Sequence, residues 1–356
     1  MRFGAKIKEL RLKKGFSIQM LADMSGVSKP AIQQYEDDTI TPSNMVLKRV
    51  ADALGVGVWH FFPVKRKTIS LIDFRDGHTL LNEAREKDTI LEIVRSQVQK
   101  YIDLLSILNE KIIFENPLAD MVISTYDDVE KGAKKVRKKL KVGEAPIDDI
   151  TGLLEANGFI ILTINRPTYS QGVCGFIEDN DEKIPVIIFN EFQDTEVTRK
   201  RFTILHELAH LILTFHETIT KEQQELMCHY FASAMLLPED AMISFIGKDR
   251  TSISFRELVD LKETYGISIQ AIIFRAKNIG MIKEETKRKW LEIYESWQNS
   301  KNFGAYTKSQ EKPKRFESLI ARAVVERRIT VQKAMELAGT PIDMIEDRYI
   351  NKSFEF

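Results

Sequence analysis

Short amphipathic segments divided by tight breaks open the chain. Ile7, Leu10 and Leu12 share one face of a first predicted helix that stops at Gly15, and Ile18, Leu21 and Ala22 mark a second that closes at Ser25 and Gly26. Ser28 has the chemistry of an N-cap for a third helix running through Tyr35; an Asp-rich turn follows, and apolar residues at helical spacing from Met45 to Leu54 predict a fourth, ended by Gly55. Leu21, Ala22, Val27, Ile32, Val46, Leu47, Val50 and Leu54 are the expected core of a compact five-helix unit.

Further on, Leu91, Val94, Val98, Tyr101, Leu105, Leu108 and Ile112 alternate steps of three and four, which predicts one long helix with a heptad seam. The seam either packs against a neighbouring domain or forms a dimer contact. Lys131 to Lys141 is densely basic, but Val129, Ala133, Val136 and Leu140 recur inside it at helical spacing, so it reads as the solvated face of an amphipathic helix. Two β-branched runs, Phe159–Ile164 and Ile184–Asn190, predict strands joined by a Gly- and Asp-containing connection, ahead of a helix that carries His206. Beyond Pro238 the pattern is helical again, with a polar linker from Asn299 to Lys314 before a last helical unit, Phe316 to Leu337.

Composition adds location and charge. With 356 residues the chain exceeds what one core usually organises. Its 52 basic and 52 acidic residues cancel, so nucleic-acid attraction has to be local. It is local at the N-terminus, where residues 1–66 carry eleven Lys and Arg against six Asp and Glu. No apolar run approaches the ~20 residues of a membrane span, and the charged start lacks the apolar region of a signal peptide. Two cysteines, Cys174 and Cys228, suit a reducing cytoplasm and read as small buried residues.

Phe16 to Val56 resembles the helix-turn-helix of the Xre and phage-repressor class almost residue for residue. The turn at Ser25 and Gly26 would set the following helix into the major groove of a double-stranded DNA operator. Ser28, Lys29, Gln33 and Gln34 stand at the groove-facing positions, where an amide can pair with adenine and a lysine can reach guanine. Gln19 matches a family position that holds the backbone. Arg11, Lys13 and Lys14 are candidates for phosphate contacts.

In the run Arg201–Leu213, His206 and His210 lie four apart on one helix face, so both imidazoles can reach one Zn2+, with Glu207 beside them to activate its water as general base. A catalytic zinc needs a third protein ligand. His216 has metzincin spacing, but Leu213 stands where that pattern turns the chain at a glycine. Glu225 fits better: it begins a segment in which His229, four residues on, is placed as a hydrogen-bonding neighbour or as a rival ligand. A substrate backbone would add as a strand to Pro185–Phe189.

Residues 225–240, following His206-Glu207-Leu208-Ala209-His210, resemble the ImmA/IrrE metallopeptidase family, whose motif Phe231, Ala232, Leu236, Leu237 and Pro238 match. The likeness extends upstream through residues 136–162 and 172–180. Cys228, His229 and Met227 depart from the family, which more often has Ala, Asn and Glu there. Together the two resemblances imply a mainly α, multidomain chain: an all-α helix-turn-helix domain over 1–66, a helical linker over 67–124, an α+β gluzincin-like zinc peptidase with a small sheet over 125–245, and a helical region over 246–356. They imply a cytoplasmic DNA-binding regulator, monomer or homodimer, whose peptidase cuts a helix-turn-helix repressor, or the chain's own linker between Phe62 and Glu130. The alternatives are a transcription factor with a structural or sensory metal site, and an antitoxin-like binding protein.

Overall fold

In a computed structural model, residues 3–57, 61, 68–71, 83–165, 172–179, 182–191, 196–248, 250, 252–298 and 303–339 are described. The chain divides into two compact units, Met1–Lys67 and Thr68–Phe356.

The first unit holds α1 (Gly4–Lys13), α2 (Ile18–Ser25), α3 (Lys29–Glu36) and α4 (Asn44–Leu54). Serine hydroxyls start three of these helices: Ser17, Ser28 and Ser43 accept from the backbone N–H of Met20, Ala31 and Val46. Gly26 and Gly55 end α2 and α4 at φ of 61° and 66°, a left-handed conformation that costs a glycine little. Pro30 sits in the first turn of α3, where its missing N–H has no partner to lose. Ile7, Leu21, Ala22, Ile32, Leu47, Val50 and Leu54 form the core with Phe3 and Phe61, while Val27 and Val46 lie at its margin. Four α-helices of the expected five fall within the described residues, and residues 58–60 and 62–67 lie outside them. One expectation needs correction: Leu12, 59% exposed, lies off the core face that Ile7 occupies.

The second unit is organised by a four-stranded sheet in the order β1 (Thr68–Leu71), β4 (Gly172–Asp179), β5 (Glu182–Asn190), β3 (Ile160–Ile164). β5 runs parallel to β3 and antiparallel to β4, and β1 is antiparallel to β4. β4 fills what the sequence suggested was a simple connection between two strands. Alternate residues of the sheet enter different cores, as the two-residue period of a strand requires. Ile161, Cys174, Ile187 and Phe189 join one core. Ile160, Leu162, Ile164, Ile177, Ile184, Val186 and Ile188 join the other. A strand covered on both faces reads as an unbroken apolar run, which is what Ile184–Phe189 shows.

The first of these cores is closed by α6 (Tyr126–Lys139), α7 (Ile150–Ala156), α8 (Val197–Ile212), α9 (Lys221–Leu236), α10 (Glu239–Ile246), α11 (Phe255–Tyr265) and α12 (Ile269–Asn278). α13 (Glu284–Gln298) packs on α12, and a parallel pair, β2 (Val122–Ile123) with β6 (Thr214–Phe215), sits at the end of α8. Residues after 246 are not set apart, because Leu258, Leu261, Ile269, Ile272 and Ile273 share a core with α8 and α9.

The second core lies between the sheet's other face and α5 (Glu83–Leu108), α14 (Arg315–Val325) and α15 (Val331–Ala338). Val94, Val98, Tyr101, Leu105 and Leu108 of the heptad seam are buried in it, and Tyr101 stacks on Phe316 at 5.2 Å. These seam residues are therefore occupied within the chain rather than left for a dimer contact; the side chain of Leu91 lies outside the described residues. On α6 four of the five exposed lysines pair with acids, Lys131 with Asp127, Lys134 with Asp240, Lys135 with Asp120 and Lys139 with Glu115, as a solvated face should. Arg137 alone turns inward and donates to the carbonyls of Gly143, Ala145 and Met235.

Candidate metal centre and DNA-reading face

α8 presents His206 and His210 from one face, with their Nε2 atoms 3.0 Å apart. α9, started by a Thr220/Gln223 capping box, packs against α8 and brings Glu225 over both rings. Its Oε2 lies 3.3 Å from His206 Nε2 and its Oε1 3.2 Å from His210 Nε2. A tetrahedral zinc with arms of about 2.0–2.1 Å holds its donors about 3.3 Å apart. The three side chains therefore fit such an ion, with two imidazole nitrogens and one carboxylate. Burial opposes ionisation of Glu225, but hydrogen bonds from His206 and His210, reinforced by their charge, outweigh it and hold the carboxyl well below the usual carboxylate range.

Glu207 is buried on the adjoining face of α8, against the first residue of β4. A Cβ on Gly172 would stand 2.8 Å from Glu207 Oε1 and 2.7 Å from Thr203 Cγ2. Only a glycine lets strand and helix approach this closely. Cys228 is fully buried, with its sulfur 3.6 Å from His210 Nδ1. With Nε2 turned to a metal, the Nδ1–H donates to that sulfur and fixes the ring. Neither role was legible from residue type alone, although a glycine inside a strand pattern is a general signal of close approach.

Of the rival ligands, His216 is placed elsewhere. α8 ends at Leu213 with φ −84°, the chain continues extended into β6, and the exposed His216 ring bonds to Thr218 Oγ1 at 2.9 Å. The His229 ring lies 4.4 Å from the His206 ring and 5.7 Å from that of Phe202; it is a neighbour of the site and does not join the group of converging donors. The expected strand addition to Pro185–Phe189 fails on topology, since β5 is paired on both sides. Its neighbour β4 is the strand that reaches Glu207.

In the first unit, Ser28, Lys29, Gln33 and Gln34 are exposed along α3, and Gln19 is exposed on α2 with its amide on Asp23 at 2.8 Å. Lys13 and Lys14 are also exposed. Arg11 is not available for phosphate. It is buried in a two-pronged pair with Glu36, Nε–Oε1 at 2.6 Å and Nη2–Oε2 at 2.8 Å, and caps the Phe16 carbonyl.

Comparison with known proteins agrees with both halves. Residues 7–58 match the Helix-turn-helix family, and residues 158–277 match the IrrE N-terminal-like domain. A search of curated proteins finds no match. Among solved structures, Bacillus thuringiensis PlcR in complex with the peptide PapR7 and DNA aligns over 98% of this chain and 99% of its own at 11% identity. At a TM-score of 0.19 that likeness carries no inference. Among the described residues no helix is long and apolar enough to cross a membrane.

Proposed function

We propose that this chain, which joins a helix-turn-helix DNA-binding domain to an IrrE-like metallopeptidase domain, is a cytoplasmic transcriptional regulator whose second unit is a zinc-dependent endopeptidase. The observation that carries the reading is the convergence of His206, His210 and Glu225 with Glu207 beside them. His206, His210 and Glu225 would hold the ion. When bound, zinc supplies Lewis acidity that polarises a scissile carbonyl and makes water a nucleophile near neutral pH. Glu207 takes a proton from the attacking water and delivers it to the leaving amine. His210 is oriented through Cys228. Ser28, Lys29, Gln33 and Gln34 read base edges of an operator from α3, and Gln19, Lys13 and Lys14 hold its backbone. The substrate class, a protein of the helix-turn-helix repressor type, rests on the resemblance of residues 136–240 to the ImmA/IrrE family.

Elemental mass spectrometry of purified protein tests the centre. Wild type and Glu207→Gln should each carry about one zinc per chain, and His206→Ala and Glu225→Ala should lose it. With the metal established, cleavage present in wild type and absent in Glu207→Gln identifies a peptidase. Unchanged regulatory output in Glu207→Gln would instead assign the metal a structural or sensory role.

A further inference from the structure

Behind the candidate metal centre the second unit is not filled. A cavity of about 240 Å3 is floored by Leu208 and Ile212 of α8, Val136 of α6, Leu154 of α7 and Phe159, all buried and apolar. At 3.6 residues per turn, Leu208 and Ile212 fall on the side of α8 opposite His206 and His210. Interiors leave few voids larger than a water molecule, so an opening of this size asks for an occupant. One wall, formed by Ile113, Phe114, Glu115 and Pro117, is fixed in place. Asn116 Nδ2 donates to the carbonyl of Ile212, the last residue of α8, at 3.1 Å, and Phe114 meets Phe159 edge to face at 5.0 Å. A Cβ on Gly158, whose φ is 88°, would stand 2.2 Å from the Ile113 carbonyl oxygen, so only glycine admits the wall this closely.

Charge gathers at the mouth. Lys139 Nζ lies 3.3 Å from Glu115 Oε2, which ties α6 to the wall, and both side chains are exposed. Lys138 and Lys141, the one next to Lys139 and the other just past the end of α6, are exposed and make no ion pair among the described residues. Three lysines against one glutamate leave the mouth positive. We infer that this cavity binds a small monocarboxylate, its apolar body on Leu208 and Ile212 and its carboxylate on Lys139 in place of Glu115. An apolar cavity of about 150 Å3 is enough for benzene, so 240 Å3 takes a body of roughly eight to ten carbon atoms, chain or ring.

An exposed pair such as Lys139–Glu115 contributes little, and a ligand carboxylate replaces Glu115 at small cost. An ammonium head would meet the lysines as like charges. Because the wall is already held, filling the cavity requires little reorganisation. The occupant would touch, from behind, the helix that carries His206, Glu207 and His210. The site stands whether or not the second unit is a peptidase.

The test titrates sodium octanoate into the full chain by calorimetry, with 3-phenylpropionate as the ring-bodied acid and octylammonium as the opposite head group. One octanoate per chain should bind saturably with a dissociation constant at or below about 1 mM, and octylammonium should bind more weakly. Lys139→Gln should weaken octanoate binding about two- to fivefold, and Glu115→Gln should strengthen it by a similar factor. Opposite effects at two exposed neighbours are not expected of a structural role. Ala156→Trp, which fills the cavity from an exposed position at its rim, should abolish binding of both acids while the thermal transition of the second unit is kept. Methyl spectra give a readout of place: Ile113 and Ile212 should shift on titration, and Ile7 of the first unit should not. Comparison of the two acids decides between a chain and a ring as the preferred body, and either preference supports the site. No saturation by either acid up to about 10 mM, octylammonium binding as tightly as octanoate, binding unchanged in a folded Ala156→Trp protein, or changes of the same sign in Lys139→Gln and Glu115→Gln each overturns the inference. All four leave the zinc and peptidase measurements untouched.

Discussion

Replacing Gly172 by alanine should separate metal binding from catalysis. The added methyl would meet Thr203 Cγ2 at 2.7 Å, Glu207 Oε1 at 2.8 Å and Glu207 Cγ at 2.9 Å. Carbon contacts are comfortable at about 3.5–4.0 Å, so roughly 0.6–1 Å of displacement is needed. Thr203 is β-branched and one helical turn before Glu207, so it has little freedom to yield. Glu207 is the longer and softer side chain and moves. An error of about 1 Å in a catalytic group costs on the order of 10²-fold in rate. None of the three atoms nearest that methyl belongs to His206, His210 or Glu225, and zinc content should stay at the wild-type value. The assay pairs elemental analysis with initial rates of casein hydrolysis. Thr203→Ser, which deletes Cγ2, should recover part of the rate when combined with Gly172→Ala. A Gly172→Ala protein within threefold of wild type, beside an inactive Glu207→Gln, would refute the placement of Glu207 as general base.

Four further outcomes follow from two buried charges, an exposed lysine and a displaced histidine. Arg201 and Glu311 are both fully buried and paired, and Glu311 also accepts from the N–H groups of Ile150 and Thr151 at 3.0 Å each. Glu311→Ala strands the guanidinium and should cost about 3–5 kcal/mol, seen as a fall of roughly 10 °C in the calorimetric transition of the second unit; a loss under about 1 kcal/mol would contradict the burial argument. Glu36→Ala should cost the first unit about 3 kcal/mol and abolish DNA binding by unfolding it, whereas Lys13→Ala should leave its melting temperature unchanged and flatten the salt dependence of duplex binding by about 0.9 in log–log slope. Anisotropy titrations across salt concentrations distinguish the two. His216→Ala should keep its zinc, and metal loss in that variant would return His216 to the ligand set.

What could be read from the sequence was local. The four-residue spacing of His206 and His210, the capping serine Ser28, and the glycines after α2 and α4 act within a turn or two of helix, and each is where its spacing places it. Glu225 was legible because the alternatives at hand were few and chemically distinct. What could not be read was set by partners far along the chain. Arg11 looks like any surface arginine until Glu36 is brought beside it, 25 residues away, and the polar run Asn299–Lys314 looks like a linker until Glu311 reaches Arg201 across 110 residues. A heptad seam says that a helix needs an apolar partner and does not say whose; here the sheet and α14 supply it. Strand identity was legible for Ile184–Asn190, but its place inside the sheet was not, so the open edge was assigned to the wrong strand.

The same distinction explains why the largest fully buried side chains among the described residues are arginines. Arg137, Arg201 and Arg275 are each almost wholly inaccessible. A guanidinium can serve several carbonyls and a carboxylate at once through its planar fork, which a lysine cannot. Arg201 reaches Ile147, Tyr265, Gly266 and Glu311 from the first half of α8, one turn and a half before His206. Arg275 ties Leu237, at the end of α9, to Glu130 on α6. Arg137 holds Met235, also on α9. The two helices that contribute His206, His210 and Glu225 are thus clamped by charged groups that composition would assign to the surface. A centre whose donors must stay within a few tenths of an ångström needs supports of this directional kind, because apolar packing alone leaves a helix free to slide and rotate by small amounts at little cost.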